Sequence, residues 1–201
     1  MDLLKILFVD TSDLNINNLM SSSLLNDEDK GKINSFSHEV SKKEKTVSSY
    51  LIKKYVGDYQ INQFGKPISK DIHFNISHSK GFVVFVMDNY PIGIDIELIR
   101  DYKKELKEFV TSKEEKQYIK TNINFFEIWT NKESLLKCVG TGIGCHMDVI
   151  PGLPINSLKE WNNKLFRSKT IVYRDCVITI TRESKKDFNV AIVEEMDEEN
   201  E

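Results

Sequence analysis

Polar and apolar residues change their spacing several times along this chain. Residues 3–9 are rich in Leu, Ile, Phe and Val, which predicts a buried first strand rather than a signal peptide, because acids flank the short apolar run. Residues 11–32 are rich in Ser, Asn and Asp with scattered leucines, a loop with one weak helix. From Phe36 to Val56 the spacing turns helical through Val47, Tyr50, Leu51, Lys54 and Tyr55, and Gly57 supplies a stop. Residues 59–71 contain Gly65 and Pro67 and are expected to be a loop. Three strands follow at His73–Ile76, Phe82–Met87 and Ile92–Glu97, with Asp88-Asn89-Tyr90-Pro91 turning between the last two.

Beyond Arg100 the pattern is helical again, over Lys103–Phe109, Ser112–Lys120 and Phe125–Val139, with Gly140 at the stop. Gly142, Gly144, Pro151, Gly152 and Pro154 then break the chain. Strands return at Thr170–Tyr173, Val177–Thr181 and Asn189–Val193. Strand, helix, strands, helices, strands is an α+β order, not the regular alternation of a doubly wound sheet. There is also an internal echo. Ile52–Gly57 lines up with Leu135–Gly140, and Lys80–Val86 lines up with Lys186–Ile192.

Composition narrows the function class. At 201 residues with 40% hydrophobic and 29% charged residues, the chain suits one globular domain or two small halves sharing a core. No apolar run approaches the roughly 20 residues of a membrane span, so no membrane partner is expected. Six of the 31 acids lie in the tail Glu194–Glu201, leaving 25 acids against 28 bases in the body. That balance is too mild for a dedicated nucleic-acid binder and suits a multiply charged small ligand or an acidic partner. Cys138, Cys145 and Cys176 have no framework spacing, so a reduced cytoplasmic thiol state is expected.

Three constellations carry chemistry. In Gly93-Ile94-Asp95-Ile96-Glu97, strand alternation puts Asp95 and Glu97 on one face, about 7 Å apart. Two such carboxylates repel unless a cation sits between them, and hard ions such as Mg²⁺ take oxygen ligands in this way. A solvated acidic strand face is the simpler alternative. In Trp129-Thr-Asn-Lys-Glu-Ser-Leu-Leu-Lys137, a helical turn of about 100° per residue places Lys132 inside the apolar arc. Glu133 and Lys137, four apart, fall at its edge. A lysine in an apolar arc is costly unless paired, while an ordinary pair at the core rim explains Glu133 and Lys137 equally well. Phe74-Asn-Ile-Ser-His-Ser79, preceded by Gly65-Lys66-Pro67, offers hydroxyls, imidazole and ammonium for phosphate oxygens, or else merely caps a turn. A Ser-His hydrolase is discounted, because adjacent strand residues face opposite ways and no nucleophile elbow is present. Gly140-Thr-Gly-Ile-Gly144 follows a helix, not a strand, so it is no dinucleotide loop. Cys145-His146 lacks partners at zinc spacing.

Taken together, Gly65-Lys66-Pro67, Phe74–Ser79, Gly93–Glu97 and Trp129–Ser134 with Lys137 resemble, in order and spacing, the Sfp-type 4′-phosphopantetheinyl transferase family. The resemblance implies transfer of the phosphopantetheine arm of coenzyme A to a serine of an apo carrier protein, acyl or peptidyl. Adenosine 3′,5′-bisphosphate would be released. It implies Mg²⁺, with Mn²⁺ as a substitute, held by Asp95, Glu97 and Glu133. Lys137 would assist the leaving group and Glu133 would activate the serine. Lys66, Ser77 and His78 would contact the phosphates of coenzyme A. A looser match extends to Lys32, Lys45 and Thr46 for the 3′-phosphate and adenosine end. Gly140-Thr141-Gly142 departs from the Gly-Lys-Gly common in the family.

The fold so implied is a two-layer α/β pseudo-dimer of two similar halves with the active site in the cleft between them, and a monomer. The expected division is 1–90, 91–193 and a flexible acidic tail at 194–201. The carrier is expected to dock on Ile99–Lys120, where Lys103, Lys104, Lys107, Lys113, Lys116 and Lys120 interleave with Tyr102, Leu106 and Phe109. A non-catalytic coenzyme A or nucleotide binder on the same fold is the alternative, and an interaction module using the acidic tail is a third.

Overall fold

The structure, a computed structural model, describes residues 1–142 and 147–195. Cys145, His146 and Gly144, and the acidic tail from residue 196, lie outside the described residues. The elements in chain order are β1 (Asp2–Asp10), α1 (Ile16–Ser21), α2 (Asp27–Asn34), α3 (Glu39–Tyr55), β2 (Gln60–Ile61), β3 (Pro67–Ile68), β4 (His73–Ser79), β5 (Phe82–Asp88) and β6 (Ile92–Leu98). Then come α4 (Lys104–Val110), α5 (Lys113–Tyr118), α6 (Asn122–Val139), β7 (Leu158–Trp161), β8 (Lys164–Tyr173), β9 (Cys176–Arg182) and β10 (Phe188–Glu194). The protein is thus a mixed α+β fold with several sheets, as the element order implies.

One four-stranded sheet runs β10-β1-β5-β4 and the other β6-β9-β8-β7. All pairs are antiparallel except β1 with β10. Each sheet follows the same succession: a strand, a long helix, then a hairpin whose second strand pairs with the first. This is β1-α3-β4-β5 in one and β6-α6-β8-β9 in the other. The echo between Ile52–Gly57 and Leu135–Gly140 therefore falls on equivalent helix ends. The echo between Lys80–Val86 and Lys186–Ile192 does not, because β5 corresponds to β9 and β10 is an addition. By sheet membership, β10 also leaves the second half: its Phe188–Glu194 register against Asp2–Phe8 of β1. That pairing joins chain ends far apart in sequence, so no local pattern announces it.

Strand alternation decides what each layer touches. Along β5, Val83 and Phe85 pack with Val47, Leu51 and Ile52 of α3, while Val84 and Val86 turn to the second sheet. Both faces are covered, which is why this strand is apolar throughout. Along β6, Ile92, Ile94 and Ile96 enter the core shared by both sheets, and Gly93, Asp95 and Glu97 take the opposite face. A Cβ at Gly93 would lie 2.1 Å from the Ser134 carbonyl oxygen and 2.4 Å from the Cys138 nitrogen. Only glycine lets α6 sit this close, and that approach brings the carboxylates of β6 beside the charged residues of the helix.

Arg182 of β9, fully buried, ties the sheets at their far end. It pairs with Asp2 at 3.1 Å and Asp88 at 3.2 Å, and stands over the Tyr90 and Phe188 rings. The Asp88–Pro91 turn thus passes the chain from one sheet to the other. The short strands β2 and β3 occupy a stretch expected to be a loop, and β7 and the first part of β8 precede the strand expected from Thr170. Glu194 closes β10 and is held by Arg174 at 2.7 Å, so the tail's first acid is fixed.

Candidate active site

The edge strands β4 and β6 lie side by side and are joined by side chains instead of a backbone ladder. Asn75 Oδ1 accepts from the Ile94 N–H at 2.9 Å, and Ser79 Oγ accepts from that of Leu98 at 3.3 Å. Between these two ties the outward residues of both strands meet. Ser77 donates to Asp95 Oδ1 and Ser79 donates to Glu97 Oε2, each at 2.9 Å. The alternation that put Asp95 and Glu97 on one face also put the two serines opposite them.

The helix α6 adds the remaining charges. Lys137 Nζ donates to Asp95 Oδ1 at 2.6 Å and to Ser77 Oγ at 2.7 Å. Glu133 lies one turn earlier on the same side, buried. Arg100 donates to Glu97 Oε2 at 2.7 Å. Two buried carboxylate oxygens, Asp95 Oδ2 and Glu133 Oε1, have no hydrogen-bond partner among the described residues. Burial drives the Glu133 carboxyl up to about 7, with the Asp95 charge adding to it, Lys137 opposing and Glu97 contributing least. Burial also raises Asp95, outweighing the downward pull of Lys137.

These groups open into a cavity of about 510 Å³ lined by α3, the 59–67 hairpin, β4, β6 and α6. Asp95, Glu97, Glu133 and Lys137 share its wall with Trp129. Lys45, Ser48, Ile52, Tyr59, Ile61, Pro67, Ile76 and His78 also line it.

A family model of the 4′-phosphopantetheinyl transferase superfamily matches residues 91–193, half of the chain, and takes in all four of those charged residues. The chain belongs to that superfamily. It is similar to 4′-phosphopantetheinyl transferase gsp of Aneurinibacillus migulanus, 36% identical over 123 residues, which is 58% of this chain and 47% of the relative. It is also similar to 4′-phosphopantetheinyl transferase ffp of Bacillus subtilis, 30% identical over 145 residues, and to Sfp of Bacillus subtilis (strain 168), 29% identical over 145 residues. Each of these matches covers 63% of this chain and 65% of the relative. The matched part of the chain thus spans about half to two thirds of these curated relatives' length.

The superfamily residues named from the sequence divide into two groups. Asp95, Glu97, Glu133, Lys137, Ser77, His78 and Lys45 share the one cavity. Lys66, Lys32 and Thr46 do not line it. Lys66 Nζ reaches the carbonyls of Cys138 at 3.1 Å and Ile92 at 3.4 Å, and borders a smaller cavity of about 200 Å³ with Gly140 and Gly142. Burial lowers its pKa. Lys32 is exposed on α2 and pairs with Glu28 at 2.6 Å. The Thr46 hydroxyl, fully buried, is spent on the Lys42 carbonyl at 2.8 Å. Sequence reasoning missed Arg100, which holds Glu97, the use of the Ser79 hydroxyl on Glu97, and Glu44, whose Oε2 lies 3.1 Å from His78 Nδ1. The alternation Ser77-x-Ser79 opposite Asp95-x-Glu97 was the signal for Ser79.

The donor set suits a hard divalent ion. All three carboxylates offer oxygen, and the unpartnered oxygens of Asp95 and Glu133 are buried without compensation, a state that a cation relieves. Among the described residues no three His, Cys, Asp or Glu side chains are already gathered as a cage. Lys137 and Arg100 occupy the other oxygens of Asp95 and Glu97.

Proposed function

We propose that the protein transfers the 4′-phosphopantetheine arm of coenzyme A to a serine of an apo carrier protein, releasing adenosine 3′,5′-bisphosphate, with Mg²⁺ or Mn²⁺. The observation that carries this is the convergence of Asp95, Glu97, Glu133 and Lys137 on one cavity, with two buried carboxylate oxygens unpartnered. Asp95, Glu97 and Glu133 would hold the ion, which supplies charge neutralisation for the pyrophosphate when bound.

The serine oxygen attacks the phosphorus that carries the pantetheine arm. The bond from that phosphorus to the bridging oxygen breaks, and adenosine bisphosphate leaves with the electron pair. Glu133, with a pKa near neutrality, takes the serine proton directly or through one water. Lys137, anchored on Asp95 and Ser77, faces the leaving phosphate and offsets its growing charge. Ser77 and Ser79 keep the carboxylates turned to the cavity. Ser77, His78 and Lys45 contact the phosphates and adenosine end from the cavity wall. Lys66, Lys32 and Thr46 belong to the same proposal on resemblance alone.

The two matching sheet-and-helix units support a pseudo-dimer whose cleft is this cavity, acting as a monomer. The unpaired thiols of Cys138 and Cys176 suit a reducing, cytoplasmic setting. Among the described residues no helix is long and apolar enough to cross a membrane. For the carrier, the stretch Ile99–Lys120 keeps Lys103, Lys104, Lys113 and Lys120 exposed. Of its apolar residues, Phe109 is 54% exposed, whereas Tyr102 stacks on Phe125 and Leu106 packs into the core, so Phe109 is the apolar anchor there.

The test is incubation with coenzyme A, Mg²⁺ and an apo carrier protein, read by mass spectrometry. The carrier should gain the mass of one phosphopantetheine arm, and excess chelator should abolish the gain. An unmodified carrier in Mg²⁺, or full transfer in chelator, contradicts the proposal.

A further inference from the structure

The cavity wall contributed by α3 contains a hydroxyl that nothing above uses. Ser48 is 6% exposed, lines the cavity one turn beyond Lys45, and its Oγ has no hydrogen-bond partner among the described residues. A serine inside a helix usually returns its hydroxyl to the carbonyl four residues earlier. Thr46, two residues away, does this with Lys42 at 2.8 Å. Ser48 does not, and it lies one turn before Ile52, which packs with Tyr59 and Ile76 in the lining of the same cavity. An unmet buried hydroxyl is destabilising, and alanine is the better helix former at the same place. Among the described residues no protein group offsets that cost at Ser48.

We infer that Ser48 is a ligand-binding residue, its hydroxyl meeting the nucleoside end of the substrate. This rests on the function proposed above. Asp95, Glu97, Glu133 and Lys137 suit pyrophosphate. The Tyr59 ring with Ile52 and Ile76, which pack together in the α3 cluster, suits a flat heteroaromatic base and its sugar beside the Ser48 hydroxyl. A hydroxyl can donate or accept, so it pairs with a ring nitrogen, an exocyclic amine or a ribose hydroxyl alike. Such a group favours a ligand that supplies the missing partner over one that lacks it. Lys45, on the same helix face, brings positive charge for the phosphate on the sugar.

The test uses Ser48→Ala and Ser48→Thr in the full chain. Binding of coenzyme A, adenosine 3′,5′-bisphosphate and 4′-phosphopantetheine is measured by calorimetry, and thermal unfolding is measured without ligand. Ser48→Ala should raise the unfolding temperature of the free protein by a few degrees. It should also weaken coenzyme A and adenosine 3′,5′-bisphosphate by an equal factor of about three to ten, the scale of one hydrogen bond. Binding of 4′-phosphopantetheine should be unchanged, and Ser48→Thr should restore most of the lost affinity. A merely structural serine would lower stability on removal, so the opposite signs are decisive. Unchanged affinity for adenosine 3′,5′-bisphosphate, or an equal loss for all three ligands, overturns the assignment while leaving the transferase proposal intact. A wild-type protein that binds neither coenzyme A nor adenosine 3′,5′-bisphosphate overturns both.

Discussion

The two long helices occupy equivalent places against the two sheets, and their seats differ in how much polar bonding they carry. α3 rests on its sheet mainly through Val47, Leu51 and Ile52 against Val9, Phe74, Val83 and Phe85, an apolar contact, with Glu44 near its start accepting from the Gly81 N–H at 2.7 Å. α6 rests on a buried polar ladder. Thr130 and Ser134 share hydroxyl bonds of 2.7 Å with Thr179 and Thr181 of β9, and Asn131 donates to Thr170 of β8 at 2.7 Å. Lys159 reaches back to Asn131 Oδ1 at 2.7 Å. On the same helix Lys132, fully buried, is held by Glu115 at 2.6 Å and by the carbonyls of Val110 and Met147. Apolar contact is tolerant of small shifts, whereas a satisfied polar ladder fixes one register. The helix that carries Glu133 and Lys137 is the one whose position is fixed bond by bond.

The largest loss of stability is expected at Lys132. Lys132→Ala leaves Glu115 buried without its cation and should cost about 3–5 kcal/mol, read as a lowered urea midpoint. Replacing both partners by Lys132→Met with Glu115→Leu should recover only part of this, because the Val110 and Met147 carbonyls also lose their donor.

Next in size is a pair of swaps that conserve volume. Thr179→Val removes a hydroxyl shared with Thr130 and Thr170 and should cost about 1–3 kcal/mol, with a fall in transfer rate as α6 loses its register. Leu51→Met under α3 should cost less than about 1.5 kcal/mol and leave the rate alone. Equal costs in the two halves would erase the distinction.

The smallest effect is a pH dependence at Lys159, whose pKa burial lowers to about 7. Its folded value lies below its unfolded one, so above pH 7 the unfolded chain binds the extra proton and stability rises with pH. The cost of burying the charged amine is fully present below pH 7. The rise from this residue should be about 1 kcal/mol between pH 7 and 8, and Lys159→Met should remove it from the urea-unfolding profile.

Legibility in the sequence follows the same division. β5, β6, α3 and α6 were readable because their apolar spacing is strong and local. Asp95, Glu97, Glu133 and Lys137 were readable as pairs on one strand face and one helix edge, and the structure brings them into one cavity. The cost of Lys132 was legible too, but its partner, seventeen residues back on another helix, was not. β7 has four residues, two of them charged, and offers no periodicity. The placing of β10 beside β1 depends on long-range pairing that no window contains. Ser48 is an ordinary serine inside a helix until the cavity wall is seen.

In the proposed reaction Glu133, buried beside Asp95 with an unpartnered oxygen, serves proton transfer and ion binding and not stability. The most direct measurement is the rate of phosphopantetheine transfer to an apo carrier by Glu133→Gln, taken with its unfolding temperature. The rate should fall at least about a hundredfold, the scale of removing one major transition-state group, with unfolding temperature unchanged or raised. Transfer at the wild-type rate by that variant would contradict that role.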